Sequence, residues 1–216
     1  MGRQVKACFG TGVSQFLSFL SKPTKMNVAI IIGSVRNGRQ SQKAGYFLQK
    51  KLVQKGIDAG VIDLAEYPLP IMEERINRDP HPPANAIVIS EKLKEADAMI
   101  LVTPEYHGSF SGVLKNALDY FLPEFTKKVI GVVTVGSGKM GGINASVQLQ
   151  HVVLSMGAYP LPQKLIVPEV QVAFDEELNP KQEPLSRQAE RFVEEFSWLA
   201  HAIATAKKLN KKEEII

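Results

Sequence analysis

A single cysteine, Cys8, in 216 residues excludes an internal disulfide and a cysteine-rich metal centre, and it fits a reducing compartment. No stretch approaches the roughly 18 apolar residues that a membrane-crossing helix needs. His81, His151 and His201 lack metal-ligand spacing among themselves, so no metal is expected. The basic residues have no aromatics interleaved with them. They gather at the two ends (Arg3, Lys6, Lys22, Lys25; Lys207, Lys208, Lys211, Lys212), so the net charge of +4 describes solvated termini rather than a nucleic-acid surface. Internal repeats are absent, and nothing marks a second domain. Residues 1–25 contain no acidic residue and have no place in the pattern that follows, so they read as an extension, with Met26 as an alternative functional start. Their short apolar patch (Phe16, Leu17, Phe19, Leu20) also fits a transit peptide or a weak signal peptide. Lys6 stands where a myristoylation signal requires Ser or Thr. The expectation is a cytoplasmic protein, with organellar targeting by residues 1–25 left open.

What is present is enough for one well-cored α/β domain over residues 26–209, followed by a charged tail at 210–216; 44% of the residues are hydrophobic. Val28 to Ile32 is a continuous β-branched run with neither helical period nor polar alternation, the pattern of a strand covered on both faces. Similar runs occur at Ala59–Leu64, Ala98–Val102, Val129–Val135 and within Leu161–Val167. Helical patterns follow from about Gln40 to Lys55, around Ile87–Ala96, after Ser109 or Ser111, from Gly142 to Ser155, and from Ser186 to Leu209. Strands alternating with helices predict a doubly wound five-stranded parallel sheet in the flavodoxin-like order 2-1-3-4-5. The proline-rich stretch from Glu66 to Ala86 is a long connection, a candidate wall or lid.

In such a sheet, ligands bind beyond the carboxyl ends of the strands where the order reverses. The loops after strands 1, 3 and 4 therefore surround one site, and these are the glycine-bearing loops Gly33–Ser41, Thr103–Gly112 and Gly136–Gly142. The first opens a helix and carries Ser34, Arg36, Arg39 and Ser41, a combination suited to a phosphate. Gly33 and Gly38 have Walker A spacing, but Arg39 and Gln40 replace the Lys and the Ser or Thr, which argues against nucleotide hydrolysis. GSGKMG (Gly136–Gly141) fits G-x-G-x-x-G without the acidic residue about 20 positions on that a dinucleotide fold needs. It suits backbone N–H groups approaching a flat ring. Taken alone, Tyr106 reads as a satisfied core aromatic and His107 as a surface residue; the string TPEYHGSFSGVLKNALDYF as a whole is more specific than either.

GSVRNGRQS, PEYHGSFSGVLKNALDY and GSGKMGG together closely resemble the NADPH-dependent FMN reductases of the flavodoxin-like superfamily, over about Asn27–Val167. The resemblance implies FMN as cofactor and NADPH as co-substrate, with the flavin itself carrying the hydride and no catalytic side chain required. Ser34, Arg36, Ser41 and Gln42 then look like phosphate ligands, and Arg39 a weaker one that could instead meet NADPH phosphates. Pro104, Glu105, Tyr106, His107 and Gly108 look like the wall beside the isoalloxazine, with His107 where many relatives carry Asn. Ser137, Gly138, Gly141 and Gly142 look like the opposite edge. The resemblance further implies a ping-pong cycle, a small-molecule acceptor (quinone, azo compound or flavin), and a homodimer or tetramer using the helix after Gly112 and the Glu66–Ala86 loop. The competing expectations are a one-electron carrier, which the basic balance and the two arginines disfavour, and a flavin-binding regulatory protein without turnover.

Overall fold

The alternating faces of the first apolar run have two separate destinations. In the computed structural model, which describes residues 26–213, β1 (Asn27–Ile32) sends Val28 and Ile30 into one core layer and Ala29 and Ile31 into the other. The first layer is completed by Phe47, Leu48 and Leu52 of α1 (Ser41–Gln54) and by Phe192 and Phe196 of α6 (Glu183–Glu213). The second is completed by α2 (Ala84–Glu95), α3 (Gly112–Asp119) and α4 (Ile143–Ser155), through Ile89, Leu93, Leu114 and Leu149. Helices on both faces are why the strands need no polar alternation.

β1 lies between β2 (Asp58–Asp63) and β3 (Ala98–Tyr106), and β3 pairs in turn with β5 (Val129–Val135), all parallel. The order β2-β1-β3-β5-β6 is the expected doubly wound arrangement. Its outer position differs in detail, because two short segments, β6 (Tyr159–Pro160) and β7 (Leu165–Val167), share one flank of β5. Pro160 and Pro162 interrupt the donors that one continuous strand would require. β3 runs four residues beyond the apolar stretch that announced it, with Pro104 opposite Val135, and then turns back into β4 (Ser109–Phe110). A short helix, α5 (Val170–Ala173), follows β7.

The proline-rich connection is tied to α3. Met72 N–H donates to Asn116 Oδ1 (2.9 Å), and Asn116 Nδ2 (2.7 Å) and Tyr120 OH (3.1 Å) both donate to the Pro70 carbonyl. α6 starts three residues before the predicted Ser186 and continues past Leu209, so the segment set aside as tail begins inside a helix. The extension 1–25, with Cys8 and the candidate targeting sequence, lies outside the described residues. Among the described residues no helix is long and apolar enough to cross a membrane.

Candidate functional site

At the carboxyl ends of β1, β3 and β5 the three loops enclose a cleft of about 400 Å³. Ser34, Arg36, Arg39, Ser41, Pro104, Glu105, Tyr106 and Ser137 line it; Gln42, His107, Gly108, Gly138, Gly141 and Gly142 do not.

The first loop is built by close packing and one ion pair. Gly33 N–H continues the ladder to the Val102 carbonyl at 2.8 Å. A Cβ on Gly33 would lie 2.6 Å from Leu114 Cβ, so glycine is what lets α3 approach the strand end. Ser34 is buried, with its Oγ 3.5 Å from the Tyr106 hydroxyl. Arg39 folds back on the loop: Nη1 donates to the Ser34 carbonyl (2.7 Å) and to Asp63 Oδ1 (2.5 Å), and Nη2 donates to Asp63 Oδ2 (2.7 Å). The hydrogen bond to Asp63 raises the guanidinium pKa further, so Arg39 stays charged. Arg36 is exposed and has no ion-pair partner among the described residues. α1 then begins at Ser41 with no side-chain cap and no acidic residue in its first turn. Its leading N–H groups and dipole are therefore available to an anion. Gln42 stands apart: its Oε1 is buried without a hydrogen-bond partner, away from the cleft lining.

The second loop is a two-residue hairpin. Tyr106 pairs with Ser109 and Glu105 with Phe110, and the residues between, His107 (φ 51°) and Gly108 (φ 75°), both have positive φ. This is the turn that matches strand twist, and it selects residues tolerant of the left-handed region, among which His and Asn are enriched. The turn thus accounts for His107, whose side chain is exposed outside the cleft. Gln148 of α4 secures the hairpin by donating to the Gly108 carbonyl (2.8 Å) and accepting from Ser109 Oγ (2.7 Å). Ser111 caps α3 by accepting from Leu114 N–H (3.2 Å), and its Oγ donates to the Gly33 carbonyl, which joins the first two loops. Glu105 spans to the third: its carboxylate accepts from Ala145 N–H (3.0 Å) and Asn144 Nδ2 (3.4 Å). It supplies the cap that α4 lacks locally, since Gly142 at the N-cap offers no side chain.

The third loop is anchored behind the cleft. Gly136 N–H donates to the Val167 carbonyl (3.0 Å), and Val170 N–H donates to the Gly136 carbonyl (3.0 Å). Gly141 and Gly142 are buried in this packing, and Gly138 is exposed. Val170 and Gln171 thereby reach the cleft wall, a contribution with no signal in the sequence. Asp63 was also missed. Its one visible sign is an acid closing the AGVIDL strand next to a basic loop.

The family model described as NADPH-dependent FMN reductase matches residues 26–171, a span that holds every residue lining this cleft. The chain belongs to the NADPH-dependent FMN reductase family. Among curated members, it is 33% identical over 129 residues to the FMN-dependent NADPH-azoreductase of Staphylococcus saprophyticus, covering 58% of this chain and 66% of that one. It is 32% identical over 164 residues to the Staphylococcus aureus protein of the same name, covering 70% and 82%. The match thus spans about two thirds of the first relative's length. The reductase-family fold also appears in the flavoenzyme NAD(P)H:(acceptor) oxidoreductase of Paracoccus denitrificans, with a TM-score of 0.66 at 22% identity, over 80% of this chain and 97% of that one.

Proposed function

We propose that this protein is an NAD(P)H-dependent, FMN-containing oxidoreductase that takes reducing equivalents from NADPH and delivers them to a small oxidised acceptor, a quinone, azo compound or flavin. One observation carries this: the cleft is lined by an anion-ready helix N-terminus, by Arg36, which has no ion-pair partner among the described residues, and by Tyr106 and Pro104. Its volume lies within the range of small-molecule sites. The donor set fits the phosphate of FMN, since the first turn of α1 carries no acidic residue and Asp63 and Glu105 are both engaged by donors of their own. When bound, FMN supplies the hydride chemistry, and a protein that holds it need contribute only binding, orientation and electrostatics.

The residues divide that work. Arg36, Ser34, Ser41 and the leading N–H groups of α1 bind phosphate. Pro104 and Tyr106 at the end of β3 form one wall, and Gly136 and Ser137, with Val170 and Gln171 behind them, form another. Glu105, the carboxylate among the described residues that line the cleft, is occupied as the cap of α4. A shared cleft supports ping-pong exchange, in which NADP leaves before the acceptor enters. We also infer a homodimer. α4 exposes Ile143, Val147 and Leu154, and Val113 and Ile71 add to the exposed apolar surface of the helical layer that includes α3 and the proline-rich connection. Initial rates measured against NADPH at several fixed quinone or azo-dye concentrations test the cycle. Parallel double-reciprocal lines are expected; intersecting lines would require both substrates bound at once, and no NADPH oxidation with any acceptor would leave a binding protein.

A further inference from the structure

We propose that Asp63 is a positioning residue for the phosphate loop: acting through Arg39, it holds the loop from Ser34 to Arg39 in its anion-receiving shape before any cofactor binds. This rests on the phosphate assignment made above.

Asp63 is 1% exposed and sits opposite Ile32, beside the point where β1 gives way to the loop. A buried carboxylate is costly unless its oxygens are matched. Here each oxygen accepts from the Arg39 fork, and Oδ1 also accepts from Ala65 N–H at 3.0 Å. The same guanidinium donates to the Ser34 carbonyl, and Arg39 N–H donates to the Arg36 carbonyl at 3.0 Å. The loop is therefore closed on itself by Arg39, and Arg39 is aimed by Asp63. A lysine in its place would offer a point charge without the fork that serves two acceptors at once.

Asp63 also cancels the charge that Arg39 would otherwise lend to the cleft, leaving Arg36 as the uncompensated cation among its lining residues. Two effects of removing the carboxylate thus have opposite signs. Coulomb attraction alone strengthens anion binding once Asp63 is neutral, whereas loss of a preformed loop weakens it. The paired geometry favours the second, because an Arg39 released from Asp63 also releases the Ser34 carbonyl.

The test compares FMN with riboflavin, which lacks the phosphate, by fluorescence titration of the full chain and its Asp63→Asn variant. The expected result is an FMN Kd raised about tenfold or more, with riboflavin affinity within about twofold of the parent. Arg39→Lys is the second variant, available should Asp63→Asn fail to fold, and it is expected to show the same selective loss. Tighter FMN binding in Asp63→Asn, or equal weakening of FMN and riboflavin, would overturn the proposal. So would an unchanged FMN preference in both variants, with the phosphate site itself left standing. A parent protein that binds FMN no better than riboflavin would remove the phosphate assignment, and this proposal with it.

Discussion

Replacing Arg36 by alanine isolates the phosphate contact from everything else in the loop. The side chain is exposed and has no ion-pair partner among the described residues, so its removal orphans no buried group. The Arg36 carbonyl accepts from Arg39 N–H, a backbone contact that survives the substitution. A hydrogen bond to a charged group contributes about 1.5–3 kcal/mol. At 1.4 kcal/mol per factor of ten, FMN binding should weaken about 10- to 150-fold. Conformational stability should stay within about 0.5 kcal/mol of the parent, as for other surface substitutions. Part of the loss is long-range attraction and should shrink in about 1 M salt, where the screening length falls to about 3 Å. Flavin fluorescence titrations at low and high salt, beside urea unfolding of the apoprotein, measure each component. An FMN Kd within twofold of the parent in a normally folded variant would refute Arg36 as a phosphate ligand and move the anion elsewhere.

Three further outcomes follow from contacts rather than from the cofactor. Gly33→Ala should cost about 1–3 kcal/mol in urea unfolding, because its Cβ would meet Leu114 Cβ at 2.6 Å and α3 or the strand end must shift; a cost below 0.5 kcal/mol would mean that α3 gives way freely. Glu105→Ala should cost about 0.5–2 kcal/mol, the usual worth of a helix cap, and an unchanged unfolding midpoint would show that α4 needs none. Burial, helped by Asp79 and Glu73, holds the Tyr120 phenol above its ordinary range. Its neutral form is favoured in the folded state, so that stabilisation is complete below about pH 10 and is lost as pH rises through the elevated value. Unfolding midpoints should fall across that window and fall less steeply in Tyr120→Phe; identical slopes would contradict the assignment.

The layers and the strand order were legible because buried parallel strands are written as unbroken apolar runs, and each run here (Val28–Ile32, Ala98–Val102, Val129–Val135) became a central strand. The gathering of three loops followed from topology alone. What escaped was whatever depends on partners distant in sequence. Asp63 and Arg39 lie 24 positions apart and meet only because β2 lies beside β1. Of the two arginines in GSVRNGRQS, Arg39 is engaged by Asp63 and the Ser34 carbonyl, whereas Arg36 has no ion-pair partner among the described residues. The β3–β4 hairpin lies beyond the apolar run Ala98–Val102, and its turn rests on the positive backbone angles of His107 and Gly108, which no apolar pattern registers. Glu105 lines the cleft, and its carboxylate is in addition engaged by the α4 terminus; nothing near it in sequence announces a cap taken from another element. The split outer strand reflects Pro160 and Pro162, which an apolar count over Leu161–Val167 does not register.

The central claim, that the cleft holds a flavin which NADPH reduces, is met most directly by the visible absorption spectrum of the FMN-loaded protein, recorded before and after NADPH is added without oxygen. Flavin bands that shift on binding, bleach with NADPH and return on addition of a quinone or azo dye are the expected result. A spectrum identical to free FMN, with no bleaching by NADPH, would contradict it.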